Sequence, residues 1–114
     1  MATSTTTTYY VVEGWTSPID IDLRDDGAIP SGTLAGTIEL VLKNSSGTQL
    51  PFTGDVSIQD ATNWRVRVNP DAADFVAGIY RGRVKVTDGT GKVAFFPNSE
   101  PDIWVVRTET PVNL

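Results

Sequence analysis

The densest group of side chains able to do chemistry is acidic: Asp20, Asp22, Asp25 and Asp26 fall within seven residues. Grouped carboxylates are what Ca²⁺ takes as ligands, and two carboxylates held across a cleft are what glycoside hydrolysis needs. The spacing argues against both. Asp20 and Asp22 occupy alternate positions of an extended segment and so share a strand face, while Asp25 and Asp26 belong to a turn with Gly27. No calcium-loop spacing is present. A solvated strand face beside a polar turn accounts for all four. The chain has no histidine and no cysteine, which removes the commonest general base, the thiolate nucleophile and the usual transition-metal ligands together. A Ser or Thr nucleophile would then need a lysine base. Lys43, Lys85 and Lys92 are the only lysines, and none sits in a recognisable motif. The expectation is a protein that is not an enzyme and that uses no cofactor and no metal.

Two other sets of residues suit binding. Arg65, Arg67, Arg81, Arg83 and Lys85 are five of the nine bases and alternate along two extended segments. If those segments share a sheet, they form a cationic stripe, and guanidinium forks would meet carboxylates on a neighbouring subunit. The competing reading is local pairing with acids such as Asp20, Asp22 or Glu39. The second set is Trp15, Phe96 and Trp104, which fall out of phase with the buried face or beside proline and loop residues. An exposed aromatic anchors an interface or stacks on a sugar ring. Trp104 has an inward alternative, because Ile103-Trp104-Val105-Val106 is apolar on both faces. Such a strand must be covered on both, by its own chain or by a partner. Trp64, Phe75 and Tyr80 fall in phase with the buried face or at a crossover and read as core.

The elements that position these groups are strands, because the hydrophobic pattern has period two almost throughout. Ile19-Asp20-Ile21-Asp22-Leu23-Arg24 alternates. From Thr37 to Lys43, Ile38, Leu40 and Leu42 share one face. Thr48 to Phe52 is a candidate return strand, marked as an edge or irregular by Pro51. Val56 to Gln59 and Asn63 to Val68 are short. Residues 69 to 75 are too short for a stable helix and predict a helical or 3₁₀ turn. Along Ile79 to Thr87, Tyr80, Gly82, Val84 and Val86 face one way, and the bases face the other. An in-facing glycine at 82 marks a close approach, to Trp64 or Trp104. Lys92 to Phe96 returns after the Asp88-Gly89-Thr90-Gly91 loop, and Asp102 to Arg107 ends the series. Seven to nine short strands with regular turn signals and no 3.6-residue period predict an all-β, antiparallel sandwich. Residues 1–8 read as a Thr-rich arm that orders only against a partner, 9–108 as one domain and 109–114 as a tail.

At 114 residues the chain suits one domain able to bury a core without staples. Absence of cysteine fits a protein made in a reducing cytoplasm. A net charge of −5 and a pI near 4.4 disfavour nucleic acid and anionic membrane surfaces as partners. No apolar run approaches a membrane span, and the polar N-terminus does not read as a secretory signal.

Asp74-Phe75-Val76-Ala77-Gly78-Ile79-Tyr80 has the spacing Asp-x-x-x-Gly-x-Tyr and resembles the tyrosine corner of immunoglobulin-like sandwiches. There the Tyr hydroxyl returns to the backbone upstream and pins the crossing between sheets, which assigns that role to Asp74, Gly78 and Tyr80. A wider resemblance covers residues 15 to 107. Leu23-Arg24-Asp25-Asp26-Gly27 is followed by Leu34-Ala35-Gly36-Thr37-Ile38-Glu39-Leu40-Val41-Leu42-Lys43. Then come Val56-Ser57-Ile58, Arg65-Val66-Arg67-Val68 and Gly78-Ile79-Tyr80-Arg81-Gly82-Arg83-Val84-Lys85-Val86-Thr87. This order is similar to the N-terminal immunoglobulin-like domain of phage baseplate upper proteins and its stand-alone relatives in tailed phages. The resemblance implies a virion component present in many copies, a scaffold or decoration protein whose partners are other virion proteins or itself. It departs from the baseplate pattern in that no coiled-coil region follows, which leaves tail, neck and capsid surface open. The alternative of another class is a carbohydrate-binding module for host recognition, with Trp15 and Trp104 as its platform.

Overall fold

The structure, a computed structural model, describes residues 7–25, 27–97 and 100–108. Its strands are β1 (Thr8–Val12), β2 (Ile19–Asp22), β3 (Thr37–Lys43), β4 (Asp55–Asp60), β5 (Arg65–Asn69), β6 (Gly78–Thr87), β7 (Val93–Phe96) and β8 (Asp102–Arg107). No helix occurs among the described residues. The strands divide into a sheet ordered β1-β8-β6-β3, to which β7 adds on β6, and a second sheet ordered β2-β5-β4. The second, fifth and fourth strands against the third, sixth and last is the immunoglobulin division of a β-sandwich. The expected all-β sandwich is therefore the observed architecture.

Period-two patterning selects the inner faces. Ile38, Leu40 and Leu42 of β3 lie opposite Val86, Val84 and Gly82 of β6 and are buried, as are Val84 and Val86. Ile21 of β2 faces them from the other sheet, together with Val66 and Val68 of β5. Trp104 of β8 is 1% exposed and stacks between Phe75, at 5.8 Å, and Tyr9, at 4.3 Å between ring centroids. Gly82 makes room for it: a Cβ there would stand 2.6 Å from the Trp104 indole and from a Leu42 methyl.

The crossing between sheets runs from β5 to β6 and has the tyrosine-corner geometry. The Tyr80 hydroxyl donates 2.7 Å to the Val76 carbonyl. A Cβ on Gly78 (φ 153°) would press to 3.2 Å from that hydroxyl. Asp74, 1% exposed, accepts from the backbone N–H groups of Thr53, Gly54 and Asp71 and from the Thr53 hydroxyl, at 2.7–2.9 Å. Residues 71–74 form a single turn in which the Asp74 N–H donates to the Asp71 carbonyl.

Three expectations are corrected. Tyr9 to Val12 belongs to a strand, and Thr8 opens it, so residue 8 is part of the sandwich and not of an arm; residues 1–6 and 109–114 lie outside the described residues. That strand pairs with β8 in parallel, so the sandwich is antiparallel except at this edge. The stretch 48–52 forms no strand. It holds to β3 through the Lys43–Gln49 bridge and the Leu50 N–H to Leu42 carbonyl bond alone, since Pro51 cannot donate to a ladder.

Candidate interaction surface

Strand register decides which side chains meet. Lys43, Arg81, Ile103 and Thr8 form one row across β3, β6, β8 and β1. Ile79, Val105 and Tyr10 form the next, and Val12 lies beside Arg107. In the other direction Val41 lies opposite Arg83, and across β3, β6 and β7 run two further rows, Glu39, Lys85 and Phe95, and Thr37, Thr87 and Val93. All point away from the core, because their neighbours along each strand point inward.

This outer face joins two features that seldom meet on a bare surface. Of the ten large hydrophobic residues exposed among the described residues, Tyr10, Val12, Ile79, Val93, Phe95 and Ile103 lie here, and Tyr10 and Ile79 are each 66% exposed. Lys43, Arg81, Arg83, Lys85 and Arg107 lie among them, with Glu39 the one acid at an outward position of these strands. The rest of the sequence then holds four bases against thirteen acids, so a chain acidic overall carries a cationic face. Arg107 lies 5.2 Å over the Tyr10 ring, an arrangement in which cation and aromatic face attract. An open groove of about 950 Å³ crosses the face between the Asn44–Gly47 turn and Pro101, floored by Val41, Ile79, Arg81, Arg83 and Phe95. It lies where the last strand is interrupted between β7 and β8.

The expected stripe of five bases does not form. Arg65 and Arg67 stand on β5 in the three-stranded sheet, and Arg81, Arg83 and Lys85 stand on β6 in the five-stranded one. The two sets occupy opposite outer surfaces of the sandwich. Arg65 Nε lies 2.7 Å from Asp22, and Arg67 lies 2.8 Å from Asp20 with a second bond at 3.1 Å. For these two the local-pairing alternative holds, and Asp20 and Asp22 are ion-pair partners across β2 and β5. Hydrogen bonds from Arg67 and Arg65 hold the two carboxyls below the usual carboxylate range. No group of three or more acidic side chains converges on one point among the described residues. Asp26 lies outside them.

The aromatic set also divides differently. Trp104 and Phe96 are core, 1% and 9% exposed, and Phe96 packs 5.8 Å from Trp64. Trp15 remains exposed, at 41%, beside a second open groove with Glu13, Ser17 and Arg107. Phe95, not Phe96, points outward. Phase within Phe95-Phe96 depends on the pairing with β6, which the sequence does not print. Tyr10, Ile79, Phe95, Ile103, Lys43 and Arg107 were not singled out from sequence, although Ile79 shares the parity of Arg81 and Arg83, and the run Tyr9-Tyr10-Val11-Val12 is a strand signal. Burial pushes the Tyr9 hydroxyl up to about 12, consistent with an inward phenol. No family model matches the chain, and no curated protein matches it.

Proposed function

We propose that the protein works by docking through the outer face of its five-stranded sheet, as a structural component of a tailed-phage particle. The observation that carries the docking reading is the gathering of six exposed hydrophobic residues and five bases on one sheet face. Aromatic and Arg side chains are the residue types that concentrate binding energy at interfaces, and apolar surface of this kind left in water marks an interaction site. The phage assignment rests on the resemblance of residues 15–107 to immunoglobulin-like virion domains. Under it the partners are other virion proteins or further copies of this chain, not nucleic acid or membrane, and the protein resides in the particle. The carbohydrate reading keeps Trp15 and loses Trp104, which is in the core.

The test is incorporation. Particles assembled with an Ile79→Asp, Phe95→Asp variant should carry at least tenfold less of the protein than particles with the natural chain. The melting temperature of the isolated variant should change by no more than a few degrees, because both side chains are exposed. Absence of the natural chain from purified particles sinks the virion assignment, and equal incorporation of the variant sinks the face.

A further inference from the structure

Two bases on the outer face stand where the sheet itself gains nothing from them. Lys43 of β3 lies directly opposite Arg81 of β6, and both are exposed. Like charges directly opposite on neighbouring strands destabilise a sheet. Their surroundings do not relieve the repulsion. Ile103 stands on the other flank of Arg81, Ile79 and Arg83 flank it along β6, and Val41 precedes Lys43 on the same face of β3. Glu39 lies two rows away, opposite Lys85. Four residues of strand put it about 14 Å from Lys43, beyond the screening length of about 8 Å at physiological ionic strength. Among the described residues the ion pairs gather instead on Asp20 and Asp22, and none includes Lys43, Arg81 or Glu100.

The pair borders the groove of about 950 Å³ on this face. Beside the two charges its lining is apolar, with Val41, Phe95 and Ile79, the last 66% exposed. A carboxylate seated between Lys43 and Arg81 would meet an ammonium and a guanidinium at once and cancel their repulsion. An aliphatic or aromatic side chain next to that carboxylate would lie on Val41, Ile79 and Phe95.

We propose that this groove is a recognition site for an acidic peptide segment of a partner protein, with a carboxylate on the Lys43–Arg81 pair and a neighbouring apolar side chain on the floor. Charge complementarity selects this occupant. A nucleic acid or an anionic membrane presents its charge over a wide area and would also meet the acids that surround this face on a chain of net charge −5. A short acidic segment touches the groove alone. A second copy packed face to face would bring the five bases of this face against the same five. The inference rests on the docking role of the outer face and names the chemistry of what docks there.

The test titrates isotope-labelled protein with the peptide Glu-Leu-Asp-Phe-Glu-Asp and follows amide chemical shifts. Saturable shifts should gather at 41–43 and 79–83. Kd should rise at least tenfold when the acids of the peptide are replaced by their amides, and equally when the protein carries Arg81→Gln or Lys43→Gln. No shifts at millimolar peptide, or equal affinity for the amide peptide, would overturn the proposal. Stability supplies a readout of opposite sign. At low salt either substitution should leave the melting temperature of the free protein equal or raise it by up to roughly three degrees, and molar salt should erase the difference. A lower melting temperature at low salt would mean that the base serves the fold, and would overturn the seat. A dimer of the natural chain that Arg81→Gln dissociates would assign the groove to a second copy and overturn the peptide. If the peptide fails while Ile79→Asp, Phe95→Asp still blocks incorporation, the acidic segment is overturned and the docking face stands.

Discussion

Asp74 brings two stretches of chain to one carboxylate: the backbone at Thr53 and Gly54 before β4, and Asp71 at the start of the crossing. Burial works to raise its pKa, but the hydrogen bonds from Thr53, Asp71 and Gly54 outweigh burial and hold it below the ordinary carboxylate value. Its stabilisation is therefore full above the unfolded value of about 3.9 and is lost as pH falls through the lower folded value. Asp74→Ala should cost about 3 kcal/mol in urea unfolding at pH 7, because several buried donors lose their partner together. Its acid destabilisation should also be shallower than that of the natural chain. At Gly82 the constraint is space. Gly82→Ala forces a methyl to within 2.6 Å of the Trp104 ring, in a core that cannot give at both Trp104 and Leu42. The expected loss is about 2 kcal/mol or more, with a perturbed near-ultraviolet signal from the indole.

Among the elements, the β1–β8 pair has an electrostatic feature of opposite sign. Burial raises the Asp102 carboxyl above its ordinary value, with the Thr7 N–H working to lower it. Folding then takes up protons as pH falls. Stability declines with rising pH from about 3.9, where the unfolded carboxyl titrates, up to the raised folded value. Asp102→Asn keeps an acceptor for Thr7 and removes the half-buried charge. It should leave stability at pH 7 equal or higher and abolish this decline, as read from melting temperatures across that window. The β2–β5 pair differs again. Its Asp20–Arg67 and Asp22–Arg65 bridges are exposed, so they fix register more than they add stability.

At the scale of the whole molecule, charge is distributed by face. The five-stranded sheet gathers bases on its outer side, while the opposite outer surface neutralises Arg65 and Arg67 with Asp22 and Asp20. A partner steered to this face must be acidic, and its association must weaken with salt. Under the proposed docking role, Arg81→Glu with Lys85→Glu should therefore slow incorporation into particles more than tenfold at low ionic strength and flatten its salt dependence. The isolated domain should remain folded, with a loss of about 1 kcal/mol, because Arg81 is exposed while Lys85 is half-buried opposite Glu39.

Local pattern alone determines much here. Alternation of apolar and polar residues prints which side of each strand is buried, and so Ile38, Leu40, Leu42, Val84 and Val86 were legible as core, and Asp74, Gly78 and Tyr80 as the corner. Thr37–Lys43 and Asp102–Arg107 were legible to the residue. Pairing between distant strands is not local, and it decided the rest. It separated Arg65 and Arg67 from Arg81, Arg83 and Lys85, turned Trp104 and Phe96 inward and Phe95 outward, and carried Thr8–Val12 to the edge of the sheet beside β8. A period-two pattern fixes two faces for a strand, but only its neighbours determine which outward faces lie side by side, and the interaction surface is made of that adjacency.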